Sequence, residues 1–116
     1  NEHEVAFCGH YGFEVVALDS FRCPTSEDIR AISSDQVAEL VLGNARAIGD
    51  CDTIFISCTN LLTMDRIETI EARSGRPVVT SNQASLWAGL ARMGVPMQGI
   101  RAGSLFQRAT TAAKAA

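Results

Sequence analysis

The apolar run at positions 54–56 constrains the fold of this chain more than any other feature. It lies within residues 53–57, which are almost continuously apolar, and an amphipathic stretch follows directly. A strand that is apolar along its whole length is typical of a parallel sheet that is covered on both faces. The segment therefore predicts a central strand of an α/β domain.

Three further runs have strand character and lie at residues 13–18, 77–81 and 98–101. Helical patterns separate them, and strands that alternate with helices of about ten to fifteen residues indicate βαβ units. We therefore predict an α/β fold of three layers, in which helices flank a parallel sheet. Residues 1–116 are expected to form a single α/β lobe.

The predicted helices begin and end at recognisable capping signals. Ser33 is followed three residues later by Gln36, which is the spacing of a capping box. Glycine just past the last apolar position suits a helix end. The helices are expected over residues 1–11, from Ser33 to Gly49, from Asn60 to Gly75, from Asn82 to Gly94, and over residues 104–116.

Composition and charge exclude several classes of function. The net charge of −3 and the pI near 5.3 provide no basic surface for nucleic acid. No apolar stretch approaches the roughly 20 residues that a membrane-spanning helix needs. We expect neither nucleic acid nor a membrane as a partner.

The cysteines and histidines do not have the spacing of a metal site. The four cysteines form no C-x-x-C pair, and His3 and His10 lie far in sequence from Cys51 and Cys58. This pattern argues against zinc and against a thioredoxin-type redox motif. No metal is expected, and a reduced, cytoplasmic protein is the better interpretation of the thiols.

Cys58 is the candidate reactive residue because it lies where the strand at 53–57 is expected to run into a helix. Ligands of parallel α/β sheets collect at the carboxyl ends of strands, where helix N-termini point at them. Such a position favours the thiolate and makes a cysteine a usable nucleophile or proton donor. The alternative is a small buried thiol that only packs.

Four neighbouring polar residues are candidates for binding a substrate carboxylate. Thr59 and Asn60 follow Cys58, and Ser81 and Asn82 end the strand at 77–81. Backbone N–H groups at a helix N-terminus bind anions well. The competing interpretation is helix capping, which is a common role of asparagine and is the stronger alternative for Asn82.

Two segments carry a resemblance to a known family. Residues 56–63, ISCTNLLT, and residues 75–84, GRPVVTSNQA, closely resemble the Asp/Glu racemase superfamily. Within it, the maleate isomerase and arylmalonate decarboxylase group is most similar. The resemblance covers nearly the whole chain, and residues 12–16, GFEVV, fit an earlier strand of that group.

The resemblance implies one lobe of a two-lobed, pseudo-twofold α/β enzyme that needs no cofactor. This sequence is similar to the carboxy-terminal lobe, so an amino-terminal lobe is expected in a longer natural protein. The position of Cys58 in such enzymes acts as a proton donor or acid/base. The substrate would be a small carboxylate held between the lobes.

The resemblance leaves the reaction open. Cofactor-free isomerisation of a small dicarboxylic acid, as in maleate isomerases, is the leading hypothesis, with Cys58 handling the proton. Decarboxylation of an arylmalonate or racemisation of an Asp/Glu type are alternatives that use the same cysteine. A lobe that acts only as an assembly module is a further alternative, and a homo-oligomer would fit it because an isolated lobe should expose an apolar face.

Overall fold

The computed structural model describes residues 2–108. The elements follow in the order α1 (Glu2–His10), α2 (Ser26–Arg30), α3 (Ser34–Leu42), α4 (Ala45–Asp50), β1 (Ile54–Ile56), a 3₁₀ turn (Met64–Arg66), α5 (Ile67–Ser74), β2 (Val78–Thr80), α6 (Ser81–Met93) and α7 (Ser104–Gln107). Strands and helices alternate from β1 onwards, and the expected α/β class is confirmed. Over the described residues, no helix is both long enough and apolar enough to cross a membrane.

The two strands form a parallel pair in which Ile54 is opposite Val78 and Ile56 is opposite Thr80. One face of this pair is buried, because successive side chains of a strand point to opposite faces and Ile56, Val78 and Thr80 share the covered one. Phe55 projects from the other face and is 56% exposed. The predicted three-layer arrangement, with helices on both faces of the sheet, therefore stays a prediction.

Two apolar clusters hold the elements together. The larger joins α3, α5 and the sheet and contains Ile32, Val37, Ala38, Ile56, Ile67, Ile70 and Val78. The smaller contains Met97, Ala102 and Phe106, against which Trp87 and Leu90 of α6 pack. Ile67, Ile70 and Phe106 are fully buried, so the clusters fix the ends of both strands relative to α5 and α6.

The caps of the helices follow the local sequence. Ser33 and Gln36 form the predicted capping box at the start of α3. The helix expected to reach Gly49 is divided, because Gly43 ends α3 and Asn44 caps the separate helix α4. Gly94 ends α6 with φ +69, a conformation that glycine adopts without steric cost.

Two predicted strands are wrong. Residues 13–18 are irregular, and Phe13, Val16 and Leu18 are exposed. A run of this composition becomes a strand only when it pairs with a neighbour, and the described sheet contains β1 and β2 alone. Residues 98–101 form a turn instead, closed by a hydrogen bond from the Ile100 N–H to the Met97 carbonyl.

The final predicted helix is confirmed only at its start. α7 spans Ser104–Gln107, and the rest of the predicted segment beyond residue 108 lies outside the described residues.

Candidate active site

The carboxyl ends of β1 and β2 lie side by side because the strands are parallel and Ile56 is in register with Thr80. Cys58 follows β1, and Ser81 follows β2. The backbone N–H of Cys58 donates a hydrogen bond to Ser81 Oγ at 3.1 Å. Two of the candidate residues, taken from separate strands, are therefore in direct contact.

The Cys58 thiol is half-buried and accepts a hydrogen bond from the backbone N–H of Asn60 at 3.4 Å. The chain folds back on itself here, since the Leu61 N–H donates to the Cys58 carbonyl oxygen. A hydrogen bond donated to sulfur stabilises negative charge on it. The turn therefore places a backbone N–H donor at the sulfur.

The prediction that a helix begins near Asn60, directly after Cys58, is wrong. The chain becomes helical only at Met64, and α5 proper starts at Ile67. The residues between Cys58 and Met64 form the turn around the sulfur. The helix end that contacts Cys58 is instead the N-terminus of α6, through Ser81. A positive helix end is thus adjacent to Cys58, but it belongs to the neighbouring strand's helix.

Capping does not explain Asn60 or Asn82. The N-cap of α6 is Thr80, and Asn82 Nδ2 instead donates to the Thr59 carbonyl oxygen at 3.1 Å. Asn60 Nδ2 donates to the Ser26 carbonyl oxygen at 2.9 Å. The side chains of both asparagines therefore bridge separate segments around Cys58.

The structure thus brings together the five residues that the sequence singled out, which are Cys58, Thr59, Asn60, Ser81 and Asn82. They supply a thiol, the hydroxyls of Thr59 and Ser81, and amide groups with both donor and acceptor atoms. Within residues 2–108, no group of three or more histidine, cysteine or acidic side chains is placed to hold a metal ion.

Cys51 follows α4 and precedes β1, so it lies toward the opposite edge of the sheet from Cys58, as the sequence indicates. Its thiol donates to the Ile48 carbonyl oxygen at 3.6 Å. The two half-buried cysteines therefore have opposite hydrogen bonding, because Cys51 donates through its S–H and Cys58 accepts at its sulfur. Cys51 is a natural internal control for Cys58.

Comparison with known proteins identifies the family. A sequence model of the arylmalonate decarboxylase family matches residues 1–106. This chain belongs to the arylmalonate decarboxylase family. The match confirms the resemblance to the Asp/Glu racemase group that residues 56–63 and 75–84 carry.

Individual relatives agree with the family assignment. The chain is 31% identical to an arylmalonate decarboxylase from Bordetella bronchiseptica over 87 residues, which is 75% of this chain and 36% of that protein. A crystal structure of arylmalonate decarboxylase superposes with a TM-score of 0.76 at 29% identity, and it covers 92% of this chain and 47% of that chain. An unliganded structure gives 0.74 at 28% identity with the same coverage.

These solved relatives share the racemase-like α/β fold with this chain. The chain spans less than half of the length of the relatives that it matches. Family membership favours decarboxylation, an alternative in the sequence interpretation, over the leading hypothesis of maleate isomerisation.

Sequence reasoning missed three contributors to the arrangement. Ser26 provides a carbonyl oxygen to Asn60, and Glu4 of α1 accepts a hydrogen bond from Ser57 Oγ at 3.2 Å. Both are long-range contacts that no local pattern indicates. Gln83 is the third, and it completes a capping box with Thr80. The T-x-x-Q spacing of residues 80–83 is a readable signal for that cap.

Proposed function

We propose that this chain carries the proton-donating half of a cofactor-independent decarboxylase that acts on an arylmalonate-type dicarboxylate. Cys58 is the catalytic acid/base. The observation that supports this most is the placement of a half-buried thiol at the carboxyl ends of β1 and β2, with the Asn60 N–H donating to its sulfur, in a chain of the arylmalonate decarboxylase family.

The proposed reaction has two steps, and Cys58 acts in the second. In the first, the bond between the α-carbon and one carboxylate breaks and CO₂ leaves. The electron pair of the broken bond is delocalised onto the other carboxylate as an enediolate. The S–H of Cys58 then gives its proton to the α-carbon, which yields the monoacid and a thiolate. Water returns the proton to the sulfur. The Asn60 N–H is placed to stabilise the thiolate between turnovers.

The remaining substrate carboxylate needs hydrogen-bond donors where negative charge accumulates. Thr59, Asn60, Ser81 and Asn82 are proposed to provide them. Ser81 Oγ accepts from the Cys58 N–H, and its own hydroxyl hydrogen can be donated to substrate. Each asparagine amide uses one N–H in its contact with Ser26 or Thr59, and an amide NH₂ has two.

Three coarser expectations accompany this proposal. A second lobe would face Cys58 across the substrate, since the matched relatives are more than twice as long as the matching region. The four cysteines are free thiols, which suits the cytoplasmic location predicted from sequence. A homo-oligomer stays a prediction.

The test supplies the full-length protein, which contains this chain and the proposed second lobe, with phenylmalonate and follows CO₂ release together with the monoacid by NMR. We expect one CO₂ per monoacid and, in D₂O, one deuteron at the α-carbon of each product. Maleate is supplied in parallel, because maleate isomerisation stays the competing prediction. If maleate gives fumarate while phenylmalonate gives no CO₂, the isomerase replaces the decarboxylase proposal. If neither substrate is converted, both proposals are overturned.

The Cys51→Ser variant is the matched control in this assay. Its thiol lies toward the other edge of the sheet and donates to the Ile48 carbonyl oxygen, so its removal should leave the rate of CO₂ release unchanged.

A further inference from the structure

Gln83 is a fully buried polar side chain in the first turn of α6. Its Oε1 accepts a hydrogen bond from the Thr80 N–H at 3.1 Å. Its Nε2 donates to the Ala102 carbonyl oxygen at 2.8 Å. A buried amide with both ends paired is held in one orientation, because breaking either bond leaves a buried polar atom without a partner.

The segment that receives Gln83 is shaped to let it approach. Gly103 has φ +102, and a Cβ there would lie 2.6 Å from Gln83 Nε2 and 2.6 Å from Ile67 Cγ2. Only glycine fits this conformation and this space. Phe106, which is fully buried, and Ala102 hold the same segment against α6.

The Thr80 side of the Gln83 contacts leads to Cys58. Thr80 is the register partner of Ile56 at the end of β1, and its Oγ1 also accepts the backbone N–H of Gln83 at 3.0 Å. Ser81 is the next residue and accepts the Cys58 N–H. Hydrogen bonds therefore connect Ala102 to Gln83 and Gln83 to Thr80, the peptide bond links Thr80 to Ser81, and Ser81 is hydrogen-bonded to the Cys58 turn.

We propose that Gln83 is a positioning residue for Cys58. By fixing the N-terminus of α6 against residues 102–106, it places Ser81 so that the Cys58 N–H is held and the Asn60 N–H stays aimed at the sulfur. The proposal deepens the proposed function, since it concerns the same cysteine, but its test does not depend on turnover.

The test measures iodoacetamide alkylation of Cys58 relative to Cys51 in the folded protein by peptide mass spectrometry. Gln83→Met keeps the size of the side chain and removes both side-chain hydrogen bonds. We expect the Cys58/Cys51 rate ratio to fall about fivefold, which corresponds to the loss of one ordinary hydrogen bond. Ser81→Ala should lower the ratio similarly, and the double variant should show no further fall, because both act through one contact.

Val37→Ala is the control that separates a general loss of stability from a specific effect of Gln83 on Cys58. Val37 of α3 is buried in the larger cluster and takes no part in the Gln83 hydrogen bonds. It should lower Tm and leave the alkylation ratio unchanged. An unchanged ratio in Gln83→Met, with a lowered Tm, would overturn the proposal and leave Gln83 as a packing residue.

Gln83→Leu provides a second variant if Gln83→Met does not fold. Leucine is close in size to glutamine and removes both side-chain hydrogen bonds. The same fall in the ratio is expected, and an unchanged ratio would again overturn the proposal. A fall in the ratio in a protein that releases no CO₂ from phenylmalonate would support the positioning role while the proposed function fails.

Discussion

Cys58→Ser should lower the rate of CO₂ release from phenylmalonate by about 10²- to 10⁴-fold, the range that a positioned acid/base contributes. The serine hydroxyl is similar in size to the thiol but is a much weaker acid, so it gives up a proton less readily. The backbone contacts to Ser81 and from Leu61 do not involve the sulfur. The fold should therefore persist, which circular dichroism and thermal unfolding would check.

Cys51→Ser and Cys58→Ser form a matched pair for this measurement. Both remove a half-buried thiol beside β1, one at each end of the strand. Loss of turnover in the Cys58 variant alone is the expected result. A Cys58→Ser protein that keeps about a tenth or more of the wild-type rate would be incompatible with general acid catalysis by this residue.

Gly103→Ala should lower the free energy of unfolding by about 3 kcal/mol, from overpacking and from an unfavourable backbone conformation together. The added methyl group would lie 2.6 Å from both Gln83 Nε2 and Ile67 Cγ2, at a φ of +102. Both neighbours are fully buried, so neither has room to move. Urea denaturation followed by circular dichroism measures the change.

Gly89→Ala is the control because it is the same substitution in open space. Gly89 lies inside α6, and a Cβ there meets nothing within 4 Å. Alanine is the better helix former, so this variant should gain about 0.5–1 kcal/mol. Equal stability of the Gly103→Ala protein and wild type would mean that the close approach of Gln83 to residue 103 is absent in solution.

Local signals in the sequence predicted the parts of the fold that depend on neighbouring residues. The strand at Ile54–Ile56, the Ser33 capping box and the end of α6 at Gly94 follow from short-range chemistry. The strand expected at residues 13–18 fails because a strand also requires a partner. Exposed Phe13 and Leu18 show that apolar composition alone does not place a segment in a sheet.

The sequence predicts which residues form the candidate site but not how they are hydrogen-bonded to one another. Parallel strands bring Cys58 and Ser81 to one edge, and the sequence indicates both. The turn from Cys58 to Met64 was missed, because its hydrogen bonds to the sulfur and to Ser26 depend on tertiary contacts. The contact between Gln83 and Ala102 joins residues 19 positions apart, which no helical or strand period reports.

The reaction could not be chosen from the residues of this chain. A cysteine that donates or accepts a proton beside a carboxylate would serve isomerisation, racemisation or decarboxylation, so Cys58 does not distinguish them. The family match over residues 1–106 favours decarboxylation.

The sulfur of Cys58 is proposed to carry the proton in turnover. Iodoacetamide modification tests this when residual CO₂ release from phenylmalonate and the modified fraction of each cysteine are measured at every time point. We expect activity to fall in proportion to Cys58 modification, to reach zero when Cys58 is fully alkylated, and to be protected by substrate. Full alkylation of Cys58 with undiminished CO₂ release, or loss of activity that follows Cys51 instead, would contradict it.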